Sequence, residues 1–202
     1  MVVIVDYGVG NLFSLISSFK AIGVDAVATG DKAIIENADK IILPGVGAFE
    51  DASKKLFESG LAQVVIDQAK KGKPILGICL GMQLLFDCSY EYGVHKGLGL
   101  IKGQVKPIEG VIPKDYKIPH IGWNALEFKG ESPIFKYLSQ GDFVYFVHSY
   151  YGVECDESVI ATTEYSAELT AAVRNKNVCG VQFHPEKSEK VGLSILKAFC
   201  EI

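Results

Sequence analysis

The stretch Pro74-Ile75-Leu76-Gly77-Ile78-Cys79-Leu80-Gly81-Met82-Gln83 decides how this chain is read. Pro74 to Ile78 is an apolar run of the kind found in strands buried on both faces. It passes without a break into Gly77-Ile78-Cys79-Leu80-Gly81, and Leu84, Leu85 and Phe86 follow as a helix that packs on a sheet. A strand, a nucleophile between two glycines and a helix form a nucleophile elbow. Such a turn is tight and projects the nucleophile outward on a strained backbone. Glycines flank it because a Cβ at either position would clash. The Cys79 sulfur then lies near a helix N-terminus, where the positive end of the dipole favours negative charge. The Leu80 N–H points to where an oxyanion would develop.

Outward from this stretch, the first half alternates strand and helix patterns. Val2 to Asp6 is an apolar run ended by Tyr7-Gly8-Val9-Gly10. Leu12, Leu15, Ile16, Phe19 and Ile22 form a helical stripe closed by Gly23. Asp25 to Thr29 reads as a second strand and Lys40 to Leu43 as a third, stopped by Pro44-Gly45-Val46-Gly47. A helical stretch runs from about Phe49 to Lys71 and breaks near Ser59-Gly60. From Gly103 to Gln182 the pattern changes to short strands and turns, with Asp142 to Val147, Val159 to Thr163 and Val178 to Phe183 favouring strand. Ser188 is placed to cap a last helix through Leu193, Leu196 and Phe199. The expected fold is α/β, a mostly parallel central sheet with flanking helices and a smaller antiparallel portion in the second half. A single domain spans residues 1–202, with no repeat, linker or low-complexity tract.

Composition narrows the function classes. Hydrophobic residues make up 49% of the 202 residues, enough for a sizeable core. The net charge of −4 argues against a nucleic-acid binder, which carries a basic excess on one face. No apolar run approaches the roughly 18–20 residues that span a bilayer, and the first residues read as a strand rather than a signal segment. A cytoplasmic protein with no membrane partner is expected. The five cysteines, Cys79, Cys88, Cys155, Cys179 and Cys200, include no C-x-x-C pair, so neither a metal site nor a disulfide framework is expected. Four of them read as buried thiols acting as small hydrophobes.

A cysteine nucleophile needs a base and a group that orients the base. Among His95, His120, His148 and His184, the last lies in Gln182-Phe183-His184-Pro185-Glu186-Lys187-Ser188 at a strand end. In an extended segment His184 and Glu186 would face the same way, so that Glu186 holds one ring nitrogen while the other faces the thiol. His95 and His120 read as loop or packing histidines. A second oxyanion donor is available from Gly45-Val46-Gly47, whose glycines let a backbone N–H turn into the site.

Taken together, Pro44 to Gly47, Gly77 to Gln83 and His184 to Glu186 resemble, in order and spacing, the motifs of the class I (triad) glutamine amidotransferase family. The resemblance spans nearly the whole chain and implies a flavodoxin-like α/β fold. Within the family the chain is similar to the branch serving histidine biosynthesis, the glutaminase subunits of imidazole glycerol phosphate synthases. The segments that carry this are Asp6 to Asn11, Lys96 to Gly103, Pro119 to Asn124, Tyr145 to Tyr150 and Glu186-Lys187-Ser188.

The resemblance implies that Cys79, His184 and Glu186 form a catalytic triad that hydrolyses glutamine to glutamate and ammonia. It implies an oxyanion hole from the Leu80 N–H and an N–H of Gly45, Val46 or Gly47, and no cofactor or metal. Gln83, His148, Ser149 and Tyr150 match substrate-binding positions. Asn11, Trp123 and Lys187 match positions near a partner interface. The glutaminase motifs fill residues 44 to 186, leaving no room for an ammonia-using domain. A heterodimer with a (β/α)₈-barrel cyclase subunit is therefore expected, with low activity for the isolated chain and the Gly45-Val46-Gly47 backbone as a switch. Two other enzymes stay open, a glutaminase serving a different ammonia-using synthase and a stand-alone γ-glutamyl hydrolase. So does a non-catalytic module on the same fold.

Overall fold

A computed structural model describes all 202 residues. In chain order the first half comprises β1 (Val2–Val5), α1 (Leu12–Ala21), β2 (Ala26–Thr29), α2 (Lys32–Asn37), β3 (Lys40–Leu43), α3 (Phe49–Glu58), α4 (Leu61–Lys70), β4 (Ile75–Ile78) and α5 (Leu80–Leu84). Then follow β5 (Cys88–Ser89), β6 (His95–Lys96), β7 (Gln104–Pro107), β8 (His120–Ala125), β9 (Glu127–Phe128), β10 (Phe143–His148), β11 (Tyr150–Val153), β12 (Val159–Glu164), β13 (Glu168–Asn175), β14 (Val178–Val181) and α6 (Glu189–Cys200).

The central sheet has eight strands in the order β2-β1-β3-β4-β14-β13-β12-β9. Its first five strands are parallel and the remainder antiparallel. Three strands, β13, β12 and β9, thus extend the main sheet in antiparallel fashion. Six more strands stand apart from it, in the β11-β7-β5-β6 sheet and the β10-β8 pair.

The inner strands of the parallel half, β1, β3, β4 and β14, are almost wholly apolar on both sides because both sides are covered, while the edge strand β2 is only half-buried. Val3, Val5, Ile41, Leu43 and Ile75 enter one hydrophobic cluster with α3 and α4. Val2, Ile4, Ile42, Leu76 and Ile78 enter the other with α1 and α6. Continuous Val/Ile/Leu runs, rather than alternation, are what this double burial selects. No helix is long and apolar enough to cross a membrane.

One pairing positions the site. β14 lies parallel to β4 with Val181 opposite Ile78, and the Cys79 N–H donates to the Val181 carbonyl at 2.8 Å. Residues just past the ends of these two strands therefore emerge side by side at the carboxyl edge of the sheet. In open α/β sheets this edge is where ligands bind.

The structure corrects several local expectations. α2 has no counterpart in the sequence pattern, with Ile35 its one buried residue. The elbow helix α5 has only five residues and stops before Leu85 and Phe86. Ser188 occupies the N-cap position of α6 but makes no capping bond. Its hydroxyl donates to the His184 carbonyl at 2.7 Å and accepts the Tyr145 N–H at 2.9 Å, so it ties β10 to the turn after β14 instead. Of the four cysteines other than Cys79, only Cys155 and Cys179 are buried, while Cys88 and Cys200 are half-buried because β5 and the end of α6 lie at the surface.

Candidate active site

Cys79 sits at φ 55° and ψ −114°, a conformation that non-glycine residues rarely adopt. The neighbours make the turn this tight. A Cβ on Gly77 would lie 2.6 Å from the Gly81 carbonyl oxygen, and one on Gly81 only 1.9 Å from that of Leu43. The glycines let β4, α5 and the end of β3 meet backbone to backbone.

The loop after β3 leans on the same turn. A Cβ on Gly45 would lie 2.7 Å from the Gly81 nitrogen. The Tyr7 hydroxyl donates to the Pro44 carbonyl at 2.6 Å, and Gly10 packs against the Pro44 ring. Pro44 and Gly45 are therefore clamped, while Val46 and Gly47 are exposed, with Gly47 at φ +90°. Burial and the nearby Cys79 charge push the Tyr7 hydroxyl above its ordinary pKa, so it stays a donor.

On the other side of the sulfur, His184 Nδ1 lies 2.8 Å from Glu186 Oε1, with both side chains almost fully buried. The expected extended geometry is not what brings them together. Pro185–Lys187 is a 3₁₀ turn, with proline at its first position, where the missing N–H costs nothing. The turn folds the carboxylate back onto the ring. Burial alone would depress the imidazole, but hydrogen bonding and charge from Cys79 and Glu186 outweigh it and raise His184 to about 9.

A raised folded-state pKa has a definite sign. The ring holds its proton at neutral pH. Its stabilising contribution is complete below the ordinary value near 6.5 and is lost as pH rises through about 9. Glu186→Gln removes the carboxylate charge that supports this proton. The alkaline limb of kcat/KM for glutamine should then move down by roughly one pH unit, the equivalent of about 1.4 kcal/mol. A pH–rate profile of the variant checks this; an alkaline limb left in place would show that Glu186 does not act on His184.

A cleft of about 590 Å³ opens over these groups. Its lining includes Val46, Gly47, Cys79, Leu80, His148 and His184. Gln83, Ser149, Tyr150 and Lys187 line it too. Gln83 is buried, and its amide donates to the Tyr150 carbonyl at 3.2 Å. The same carbonyl accepts His148 Nδ1–H at 2.9 Å. Burial foremost, with the nearby His120 and His184, drives His148 down to about 3, so its ring is neutral.

His120 packs as expected, stacked on Phe146 and on Tyr165, but it also touches the site. Its Nδ1 lies 3.0 Å from His148 Nε2. Trp123 is 44% exposed and meets Tyr145 edge to face, while the Lys187 ammonium lies 5.8 Å over the same Tyr145 ring. Asn11 is half-buried, and its side-chain oxygen caps α1 by accepting the Ser14 N–H.

Four further residues shape the site. Tyr7 clamps the Pro44 loop. Glu91 lines the cleft and accepts the Phe49 N–H at the start of α3 at 2.7 Å. Glu109 is a second carboxylate in the lining. Gln182, fully buried, reaches Cys79 and Gln83. Only Gln182 carried a signal, as a polar residue inside an otherwise apolar strand pattern just before His184.

The arrangement can perform acyl transfer: a cleft-lining thiol, an imidazole poised by a carboxylate, and backbone N–H groups from α5 and the Pro44 loop. Known proteins agree in fold and in sequence. Residues 3–201 match the family described as "Glutamine amidotransferase class-I". The chain is 51% identical over 199 residues to "Imidazole glycerol phosphate synthase subunit HisH" of Aquifex aeolicus (strain VF5), covering 98% of this chain and 94% of the relative. It is 50% identical over 204 residues to the protein of the same description from Caldanaerobacter subterraneus subsp. tengcongensis, covering 100% and 98%. Among solved structures, one titled "Crystal structure of glutamine amidotransferase" superposes with a TM-score of 0.76 at 21% identity, over 99% of this chain and 100% of that one. "Structure of PurLQS from Thermotoga maritima" gives 0.75 at 21% identity, over 99% and 97%. With the elbow, the facing imidazole–carboxylate pair and a family match over almost its full length, the chain belongs to the class I glutamine amidotransferase family.

Proposed function

We propose that the chain is the glutaminase subunit of an imidazole glycerol phosphate synthase and passes ammonia to a (β/α)₈-barrel cyclase subunit in histidine biosynthesis. The cyclase would use it to make imidazole glycerol phosphate and aminoimidazole-carboxamide ribonucleotide. The observation that carries this reading is a cleft lined by Cys79 and His184, with Glu186 hydrogen-bonded to His184 behind it, in a chain about half identical to relatives described as subunits of that synthase.

The Cys79 thiolate attacks the side-chain carboxamide carbon of glutamine and sends the C=O π pair onto oxygen; when that pair returns, the C–N bond breaks and its electrons leave with the nitrogen. The Leu80 N–H and an N–H of the Gly45-Val46-Gly47 loop stabilise the oxyanion. His184 gives its proton to the nitrogen, which departs as ammonia and leaves a thioester. His184, now neutral, takes a proton from water, whose oxygen attacks the thioester; the C–S bond breaks, its electrons return to sulfur as thiolate, and glutamate is released. Glu186 orients the ring and supports its charge through the cycle. Gln83, His148, Ser149 and Tyr150 frame the rest of the substrate.

Near neutral pH, free ammonia becomes mostly ammonium, which is not a nucleophile. Ammonia must therefore leave the site toward an acceptor docked over it. Trp123, Tyr145 and Lys187 form the cluster that supports a docking role on this face, with Asn11 at the start of α1. The clamped Pro44-Gly45 and exposed Val46-Gly47 form a loop that a partner can reorient at one peptide.

The test is glutamate release by the chain alone and with the barrel cyclase and its nucleotide ligand, with complex formation followed by size-exclusion chromatography. The liganded complex should turn over faster by roughly 5–150-fold, the range of a typical coupling free energy. Equal turnover without a partner would move the assignment to a stand-alone hydrolase. Assembly with a different synthase would move it to that enzyme's glutaminase.

A further inference from the structure

We infer that Gln182 is a positioning residue of this site, holding an amide N–H against the Cys79 sulfur so that the attacking, negatively charged form is favoured. The inference rests on Cys79 as the nucleophile. Gln182 follows β14 directly and is fully buried. Its Nε2 lies 3.8 Å from Cys79 Sγ, and its Oε1 accepts the Gln83 Nε2–H at 3.0 Å.

The orientation of this amide follows from its neighbours. Amide oxygen and nitrogen are nearly the same shape, so the surrounding hydrogen bonds decide which is which. The chain of bonds ends on the Tyr150 carbonyl, which can only accept. Gln83 must therefore present its NH₂ group there, at 3.2 Å. The second hydrogen of that NH₂ faces Gln182, which must answer with its oxygen. Only the Gln182 NH₂ is left to face the sulfur. Flipping either amide would place like atoms in contact in a buried site, which is costly. The same Tyr150 carbonyl takes the His148 Nδ1–H, so its acceptor sites are filled.

The sulfur is thus held between two kinds of donor. His184 has a proton to transfer, and Gln182 has one it cannot lose. A donor to an ionised acceptor forms a stronger bond than one to a neutral acceptor, so this contact is worth more to a thiolate than to a thiol. Glutamate in the same place would set a carboxylate against that charge. The far end of the relay, Gln83 and the Tyr150 backbone, belongs to the substrate cleft, so the groups that frame glutamine also fix the donor on the nucleophile.

Two variants of the full chain test this. Gln182→Met keeps the length and removes the donor; Gln182→Glu keeps the shape and adds charge. The probe is iodoacetamide, with modification read peptide by peptide because Cys88 and Cys200 are more exposed than Cys79. Cys79 modification in Gln182→Met should be about tenfold slower at neutral pH and should recover about one pH unit higher, and Gln182→Glu should be slower still. In the liganded complex kcat should fall by about the same factor, while KM for glutamine changes by less than about threefold. Wild-type modification rates and pH profiles in both variants would overturn the inference. So would a loss confined to thermal stability and KM, which would mark Gln182 as packing only. If Gln182→Met does not fold, Gln182→Glu alone decides. Modification reads the sulfur whether or not glutamine is the substrate. A wild-type complex that releases no glutamate would sink the glutaminase reading without altering this result.

Discussion

Cys79→Ala should lower glutamate release by the liganded complex on the order of 10⁴-fold or more, with the fold intact. The expectation has two parts, one chemical and one structural. Chemically, no other sulfur reaches the cleft: Cys79 is the only cysteine in its lining. Without the sulfur His184 has no nucleophile to serve, and the oxyanion donors retain only their residual effect on attack by water. Structurally, alanine keeps the Cβ already present at φ 55°, so the elbow gains no strain. Loss of one sulfur atom should change stability by no more than about 1 kcal/mol. Glutamate release and a thermal melt check both parts. Because nucleophile and base act as a unit, adding His184→Ala to Cys79→Ala should cost little further activity. Activity within about tenfold of wild type in Cys79→Ala would assign the chemistry elsewhere.

The elbow was legible because everything that makes it is local: an apolar run, two glycines four residues apart and a following apolar stripe. What the residue pattern cannot supply is adjacency. Nothing near Val178 says that β14 inserts beside β4, about a hundred residues earlier in the chain. Periodicity likewise hid that β13, β12 and β9 continue the same sheet, since an apolar strand reads the same in any sheet. α2 went unseen because six residues with one buried side chain, Ile35, make no stripe, although Asp31 caps it by accepting the Ala33 and Ile34 N–H groups. The His184–Glu186 contact was anticipated through an extended segment and is reached instead through a 3₁₀ turn. A spacing of two residues is compatible with both geometries, and only the proline hinted at the second. Gln182 reads as strand interior, because a side chain's hydrogen-bond partners on other elements leave no trace in its own neighbours along the chain.

The second large effect concerns folding rather than chemistry. Gly81→Ala should destabilise the chain by more than about 4 kcal/mol, a magnitude reached only through a specific structural fault. The added Cβ would lie 1.9 Å from the Leu43 carbonyl oxygen, 2.8 Å from its carbon and 3.1 Å from that of Pro44. All three are backbone atoms at the end of a buried strand, so no side chain can rotate away to make room. β3 and the loop after it would have to withdraw from α5. For a chain of this size, 4 kcal/mol corresponds to a fall in Tm of roughly 8–16 °C. Gly47→Ala is the contrasting case. No atom lies within 4 Å of its added Cβ, and only the positive φ of +90° opposes it, so its stability loss should stay near 1–2 kcal/mol. Any effect of Gly47→Ala on turnover would then come from the oxyanion loop and not from unfolding. A Gly81→Ala melt within about two degrees of wild type would mean that α5 and the end of β3 do not press together as described. That contact is also what sets the Pro44-Gly45 backbone against the elbow. A failure there would remove the physical reason for placing two oxyanion donors around one sulfur.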